Sequence, residues 1–259
     1  MYNFDYVKAS SVADATQALG GDAQAISGGQ TLIPTLKARL GQPSALVDLS
    51  GVAEMGGITA NGDSVTIGGA VTHHAVASSG DVPASIAALA GGIGDPAVRH
   101  RGTIGGSVAN NDPSACYPSA CLGLGATIHT SGGDIAADDF FQGLFETSLG
   151  EGQIVTGVTF PVPAKANYQK FVQPASRFAL VGVFVSQMAD GYVRVAVTGA
   201  SEGGVFRWSD AENALASNFS ADAVPAAPAA DGMIADLHGS AAYRAHLVAV
   251  MTKRAVQAC

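Results

Sequence analysis

Two glycine-centred segments constrain this chain more than anything else in it. The first reads Ser27-Gly28-Gly29-Gln30-Thr31-Leu32-Ile33-Pro34, and the second runs from Arg101-Gly102-Thr103-Ile104-Gly105-Gly106-Ser107 through Asn110, Asn111, Asp112 and Pro113. Each sets adjacent glycines and small hydroxyl or amide side chains between apolar stretches. Backbone can then approach a ligand closely and turn unpaired N–H groups towards it. The first segment follows a short strand, expected to be buried, over Ala23 to Ile26. It leads into helical spacing from Thr31 to Leu40, where Leu32, Leu36 and Leu40 share a face, and then into a strand over Leu46 to Leu49. That order is a βαβ unit with glycines at the helix N-terminus, where amides and the helix dipole favour phosphate. Two such places in one chain suit an elongated, phosphate-bearing ligand such as a dinucleotide.

The remaining composition narrows the alternatives. At 259 residues, one large or two smaller domains are expected. Only 13% of residues are charged, about half of the usual ~25%. Polar contacts must therefore fall to Ser, Thr, Asn, Gln and backbone, with some surface covered by partners. A net charge of −8, with 13 scattered basic residues, excludes a phosphate-tracking nucleic-acid surface. The three cysteines, Cys116, Cys121 and Cys259, build neither a disulfide framework nor a four-cysteine cluster, and read as reduced thiols. The N-terminus has no basic leader, and no stretch approaches the ~20 apolar residues of a membrane span. A soluble, cytoplasmic protein is expected.

Further along, a helix is predicted over Ser11 to Leu19, capped by Ser10 or Ser11, and another begins at Thr72 carrying His73 and His74. Small residues from Ala115 to Ala126 indicate a tightly packed helix, with strands over Ala126 to His129 and Ile154 to Phe160. Pro161-Val162-Pro163 places a domain boundary there. Beyond it, strands are expected over Tyr168 to Val172, Ala179 to Met188 and Tyr192 to Thr198, with a hairpin turn at Asp190-Gly191. Helices cover Asp210 to Ala216 and Ala241 to Gln257. The C-terminal part is thus a small α+β unit, with about three antiparallel strands and helices on one side.

Neither glycine segment matches G-x-G-x-x-G or the P-loop pattern. Cys116 and Cys121 lack the neighbours that would complete a metal site, and are better read as small buried thiols. His73 and His74, adjacent on a helix, diverge by about 100° and cannot serve one metal. Asp138-Asp139 reads as a helix cap before Phe140-Phe141. No catalytic set and no metal ligands emerge, so a bound cofactor carries the difficult chemistry.

Ser27 to Pro34 resembles the first FAD-binding signature of the medium, flavoprotein subunit of molybdenum hydroxylases, the group of carbon monoxide and xanthine dehydrogenases. Val98-Arg99-His100-Arg101 through Ser107 resembles its second signature. The likeness continues through Asp138 to Phe145, Tyr168 to Phe171, Pro174 to Phe178 and Gly239 to Arg244. It implies an α+β fold: a two-lobed FAD-binding domain of the p-cresol methylhydroxylase type over residues 1–163, with lobes of about 1–55 and 56–163. A small C-terminal α+β domain with a three-stranded antiparallel sheet would cover 164–259.

The resemblance further implies an oxidoreductase assembled as a dimer of three-subunit units. A large molybdopterin subunit oxidises substrate, and a small subunit with two [2Fe–2S] clusters relays electrons to FAD on this chain. An external acceptor then takes them. By the same likeness, Gly28, Gly29, Gln30 and Thr31 meet the pyrophosphate, and Ser27 and Leu32 beside them belong to the FAD site. Thr103, Gly105, Gly106, Ser107 and Asn110 line the second phosphate and ribityl side, with Val98 nearby. Asp112 holds a ribose hydroxyl, and Ile154 or Val155 packs by the isoalloxazine ring. Where many relatives carry an acidic residue this chain has Cys116, and a thiol is a poor partner for a flavin hydroxyl. A stand-alone FAD oxidoreductase would need acid–base residues of its own, and a flavin-free scaffold would have no use for intact glycines.

Overall fold

The structure, a computed structural model, describes residues Met1–Cys259. Its first part is the expected βαβ unit with one strand added in front. β1 (Asp5–Lys8), α1 (Val12–Ala18), β2 (Gln24–Ile26), α2 (Leu32–Lys37) and β3 (Ala45–Asp48) form a three-stranded parallel sheet in the order β1-β3-β2. Ser11 caps α1 by accepting from the amide of Asp14 at 3.0 Å. Val47, Leu49, Val52 and Met55 bury against Ala15 and Ile154. β2 is largely exposed rather than buried, because it is an edge strand and forms part of a cavity wall. Helix α2 stops at Lys37, so Leu36 alone of its predicted stripe is buried and Leu40 is 80% exposed.

The second part is a five-stranded antiparallel sheet backed by helices. In chain order it contains β4 (Ile58–Ala60), β5 (Ser64–Gly68), α3 (His73–Ser78), α4 (Ala84–Gly91), α5 (Pro96–Arg99), α6 (Ile104–Asn110) and α7 (Tyr117–Leu124). There follow β6 (Thr127–Thr130), β7 (Gly133–Ala136), α8 (Ala137–Phe140), the short hairpin β8 (Phe141–Gly143) and β9 (Glu146–Thr147), and β10 (Val155–Pro161). The sheet order is β4-β5-β10-β6-β7. Strict alternation sorts its faces: Ile67, Val158 and Ile128, in register, turn inwards with Ile104, Val108 and Tyr117, while Thr66 and Thr159 turn outwards. The second glycine segment is helix rather than loop, since Gly105, Gly106 and Ser107 form the first turn of α6. Asp138 and Asp139 likewise lie inside α8 and do not cap it; Asp138 pairs with Arg194 at 2.9 Å.

The third part is a four-stranded antiparallel sheet of β11 (Lys165–Val172), β12 (Ala179–Gln187), β13 (Val193–Thr198) and the two-residue β14 (Phe206–Arg207), followed by α9 (Ser209–Ser217) and α10 (Ala241–Gln257). The turn at Asp190-Gly191 is present, with Gly191 at φ +87°. Helices cover both faces of this sheet, not one. Val181, Val183 and Val185 pack under α10, while Phe184 turns the other way into the core that holds α7. That double cover explains why β12 is an unbroken apolar run instead of an alternating one.

Candidate functional site

One cavity of about 830 Å³ collects the residues singled out from the sequence. Ser27, Gly28, Gly29, Gln30, Thr31, Leu32, Val98, Thr103, Gly105, Gly106, Ser107, Asn110, Asp112 and Val155 all line it. The two glycine segments touch directly. A Cβ on Gly28 would fall 2.2 Å from the carbonyl oxygen of Arg101 and 2.6 Å from Cα of Gly102. Beside this contact the hydroxyl of Thr103 donates to Oγ of Ser27 at 3.0 Å, while accepting from the amide of Gly106 at 3.2 Å. Thr103 therefore caps α6 and fastens it to the first segment.

The donors on the two sides differ. From Gly28 to Leu32, five successive backbone N–H groups have no acceptor within the chain. No side chain caps the start of α2 either. Such a run of free amides at a helix start is able to receive a phosphate without Lys or Arg, in keeping with the sparse charge. On α6, by contrast, the amide of Gly105 already donates to Gly69 at 2.9 Å. A Cβ at Gly105 would lie 2.6 Å from that same carbonyl, so this glycine serves helix–strand packing. The hydroxyl of Ser107 and the side-chain amide of Asn110 line the cavity with no hydrogen bond of their own in the chain. Asp112 uses Oδ1 to accept from the amide of Ser114 at 2.8 Å. These donors and acceptors, gathered in one cavity, fit the phosphates and hydroxyls of FAD.

Val155 and Ile154 form an apolar wall with Met55 and Leu149. A register shift between Val155 and Gly157, where β10 pairs with β6, sets this strand end. Sequence reasoning gave no site role to Lys170, Arg177 and Phe178, from β11 and the loop after it, which also line the cavity. There Nζ of Lys170 on β11 donates to Gly92 at 2.7 Å and to Arg177 at 2.8 Å, and sits 3.6 Å from Sγ of Cys116. Arg177 and Phe178 line the same region. Cys116 is buried and lines the cavity as well. Nothing local marks Lys170 or Arg177 as cavity residues, because packing between distant segments brings them there.

His73 is 5% exposed and lines the floor beside Gly102 and the ring of Tyr117. Burial first, and the charge of Arg99 second, push its pKa down to about 4, so the imidazole is neutral near pH 7. The unfolded chain takes up this proton near the ordinary value of about 6.5, before the folded chain does. Stability therefore falls as pH drops from the ordinary value towards 4. In His73→Leu, the stability lost between pH 7 and pH 4.5 should shrink by about 2 kcal/mol. Urea unfolding at both pH values checks this; an equal loss in both proteins would show that His73 titrates alike folded and unfolded.

Residues 2–163 match the family model described as the FAD binding domain in molybdopterin dehydrogenase. Over 98% of its length the chain is 32% identical to the carbon monoxide dehydrogenase medium chain of Afipia carboxidovorans, covering 96% of that protein. It is 34% identical to the nicotine 6-hydroxylase medium subunit of Paenarthrobacter nicotinovorans, over 97% of this chain and 95% of the relative. Among solved structures, quinoline 2-oxidoreductase from Pseudomonas putida 86 matches with a TM-score of 0.88 at 30% identity, over 99% of this chain and 96% of that one. Carbon monoxide dehydrogenase from Hydrogenophaga pseudoflava matches with a TM-score of 0.87 at 30% identity, over 99% and 97% respectively.

Proposed function

We infer the function of this chain from the family to which it belongs, the FAD-binding medium subunits of molybdenum hydroxylases. It is the flavoprotein subunit of an oxidoreductase. Within that frame, its role is to receive electrons from two [2Fe–2S] clusters on a small partner subunit and deliver them to an external acceptor. A large molybdopterin subunit performs the substrate oxidation. FAD, when bound, supplies the redox chemistry of this step. Two such three-subunit units would form a cytoplasmic dimer, with residues 1–163 as the FAD-binding domain and 164–259 as the C-terminal domain.

One observation carries this reading: two sequence-distant glycine segments meet at one cavity, and one of them presents a run of free amides. In this proposal the amides from Gly28 to Leu32, beside Ser27, hold the pyrophosphate. Thr103 locks the second segment against the first, and Gly106 leaves α6 open to the ligand. Ser107 and Asn110 bind along the ribityl side, Asp112 binds a ribose hydroxyl, and Val155 with Val98 excludes water from apolar parts of the cofactor. No acid–base side chain is assigned a proton transfer with substrate.

Removing the flavin from the assembled complex should stop turnover with the physiological acceptor while substrate still reduces the molybdenum and iron–sulfur centres. Rapid-mixing spectroscopy of the iron–sulfur bands after substrate addition tests this. Clusters that stay oxidised in an otherwise intact assembly would give this subunit a part in the substrate chemistry and end the electron-exit reading.

A further inference from the structure

Cys116 alone of the three cysteines lines the cavity. Cys121 lies inside the core, where burial raises its pKa and keeps the thiol inert, and Cys259 is exposed at the C-terminus. The sulfur of Cys116 has a cationic neighbour fixed in place, Nζ of Lys170 at 3.6 Å. An ammonium carries three N–H donors. Two of them go to the carbonyls of Gly92 and Arg177, and the third points at Sγ. A second group meets the same thiol. Tyr168, two residues before Lys170 on β11, stands against Cys116 and has a buried hydroxyl with no hydrogen-bond partner. Burial first, and Cys116 second, raise the Tyr168 pKa well above its ordinary value, so the phenol remains a donor. Gly182 makes room for it, since a Cβ there would fall 2.4 Å from the hydroxyl oxygen. A buried donor left unpaired is costly, and an oxygen atom added to Sγ supplies an acceptor.

We propose that Cys116 is a redox-modification site, where hydrogen peroxide links Sγ to Nζ of Lys170 through one oxygen atom while the Tyr168 hydroxyl donates to that oxygen. One peroxide molecule transfers an oxygen to Sγ, giving a sulfenic acid and water. A second is the oxidant for the next step, in which Nζ bonds to that oxygen. The ammonium and the S–OH together lose three hydrogens: two join the peroxide to make two waters, and the third leaves as a proton. The product is an N–O–S bridge. Two equivalents of a dithiol return it to amine, thiol and water. The bridge takes the charge of Lys170 out of the cavity and withdraws its donors from Gly92 and Arg177. Gly92 adjoins Ile93 and Arg177 adjoins Phe178, and Ile93, Arg177 and Phe178 all line the cavity, so oxidation alters the cavity wall. The bridge requires no particular position of the cofactor and does not depend on the electron-transfer role.

Treatment of the full-length protein with hydrogen peroxide, followed by mass spectrometry and peptide mapping without reductant, tests the proposal. The product should be heavier than the untreated chain by one oxygen less two hydrogens, with the peptides of Cys116 and Lys170 joined. Dithiothreitol should release both peptides unmodified. Cys116→Ser and Lys170→Arg should each abolish the joined species, since arginine keeps the positive charge but brings no amine to sulfur. Tyr168→Phe should slow joining about tenfold, the effect of one lost hydrogen bond. Oxygen that accumulates on Cys116 while Lys170 stays free overturns the proposal, as does failure of the wild-type thiol to react at all. Joining at the wild-type rate in Tyr168→Phe overturns it equally.

Discussion

Gly28→Val is expected to lose the flavin and about 3 kcal/mol of stability. Its Cβ would fall 2.2 Å from the carbonyl oxygen of Arg101, far inside any contact distance, so the two glycine segments must separate. Separation breaks the Thr103–Ser27 hydrogen bond and misaligns the free amides. Gly106→Val is the informative contrast. A Cβ there meets only Oγ1 of Thr103, at 3.1 Å, and otherwise stands in the cavity. That variant should fold with nearly the wild-type Tm and still purify without flavin. Flavin content and thermal unfolding, measured on both proteins, separate assembly of the cavity from access to it. Full flavin in both variants would show that these segments serve the fold and do not hold the cofactor.

Arg244→Ala should destabilise the C-terminal sheet by about 3 kcal/mol, which lowers Tm by roughly 8 °C in a chain of this size. Arg244 is 4% exposed, and its guanidinium donates to the carbonyls of Leu180 and Gly199 and to Asp236, each at 2.7 Å. It ties α10 to the start of β12 and the end of β13. Truncation leaves two buried carbonyls and a carboxylate without their donor. Arg244→Lys should recover only part of the loss, because one ammonium cannot reproduce the fork. A Tm within 2 °C of wild type for the alanine variant would mean that water replaces the guanidinium without cost. Phe178, two residues before Leu180, lines the cavity, so flavin content should fall with this sheet.

Much of this could be read from the chain alone, and the reason is local. A βαβ unit follows from apolar spacing and glycine placement, and β2, α2 and β3 lie where that spacing puts them. The C-terminal strands and hairpin follow from β-branched runs and Asp190-Gly191. Residues of the two glycine segments meet at one cavity because their capacity to approach closely is a property of the residues themselves. Boundaries were less legible. Gly105-Gly106-Ser107 reads as loop by propensity, yet it is helical because Thr103 caps it and Gly69 and Val71 accept its first amides. The strands β1, β4 and β14 carry no apolar run of their own, and pairing partners alone define them.

The sequence by itself determined the two glycine segments, the βαβ unit and the antiparallel C-terminal strands, since each depends on residue type and near-neighbour spacing. Only the tertiary structure decided that Lys170, Arg177 and Phe178 line the same cavity, that Gly28 bears on Arg101, and that Asn111 bonds the hairpin that carries Phe145. Those contacts join residues far apart in the chain. No local pattern encodes such a distance.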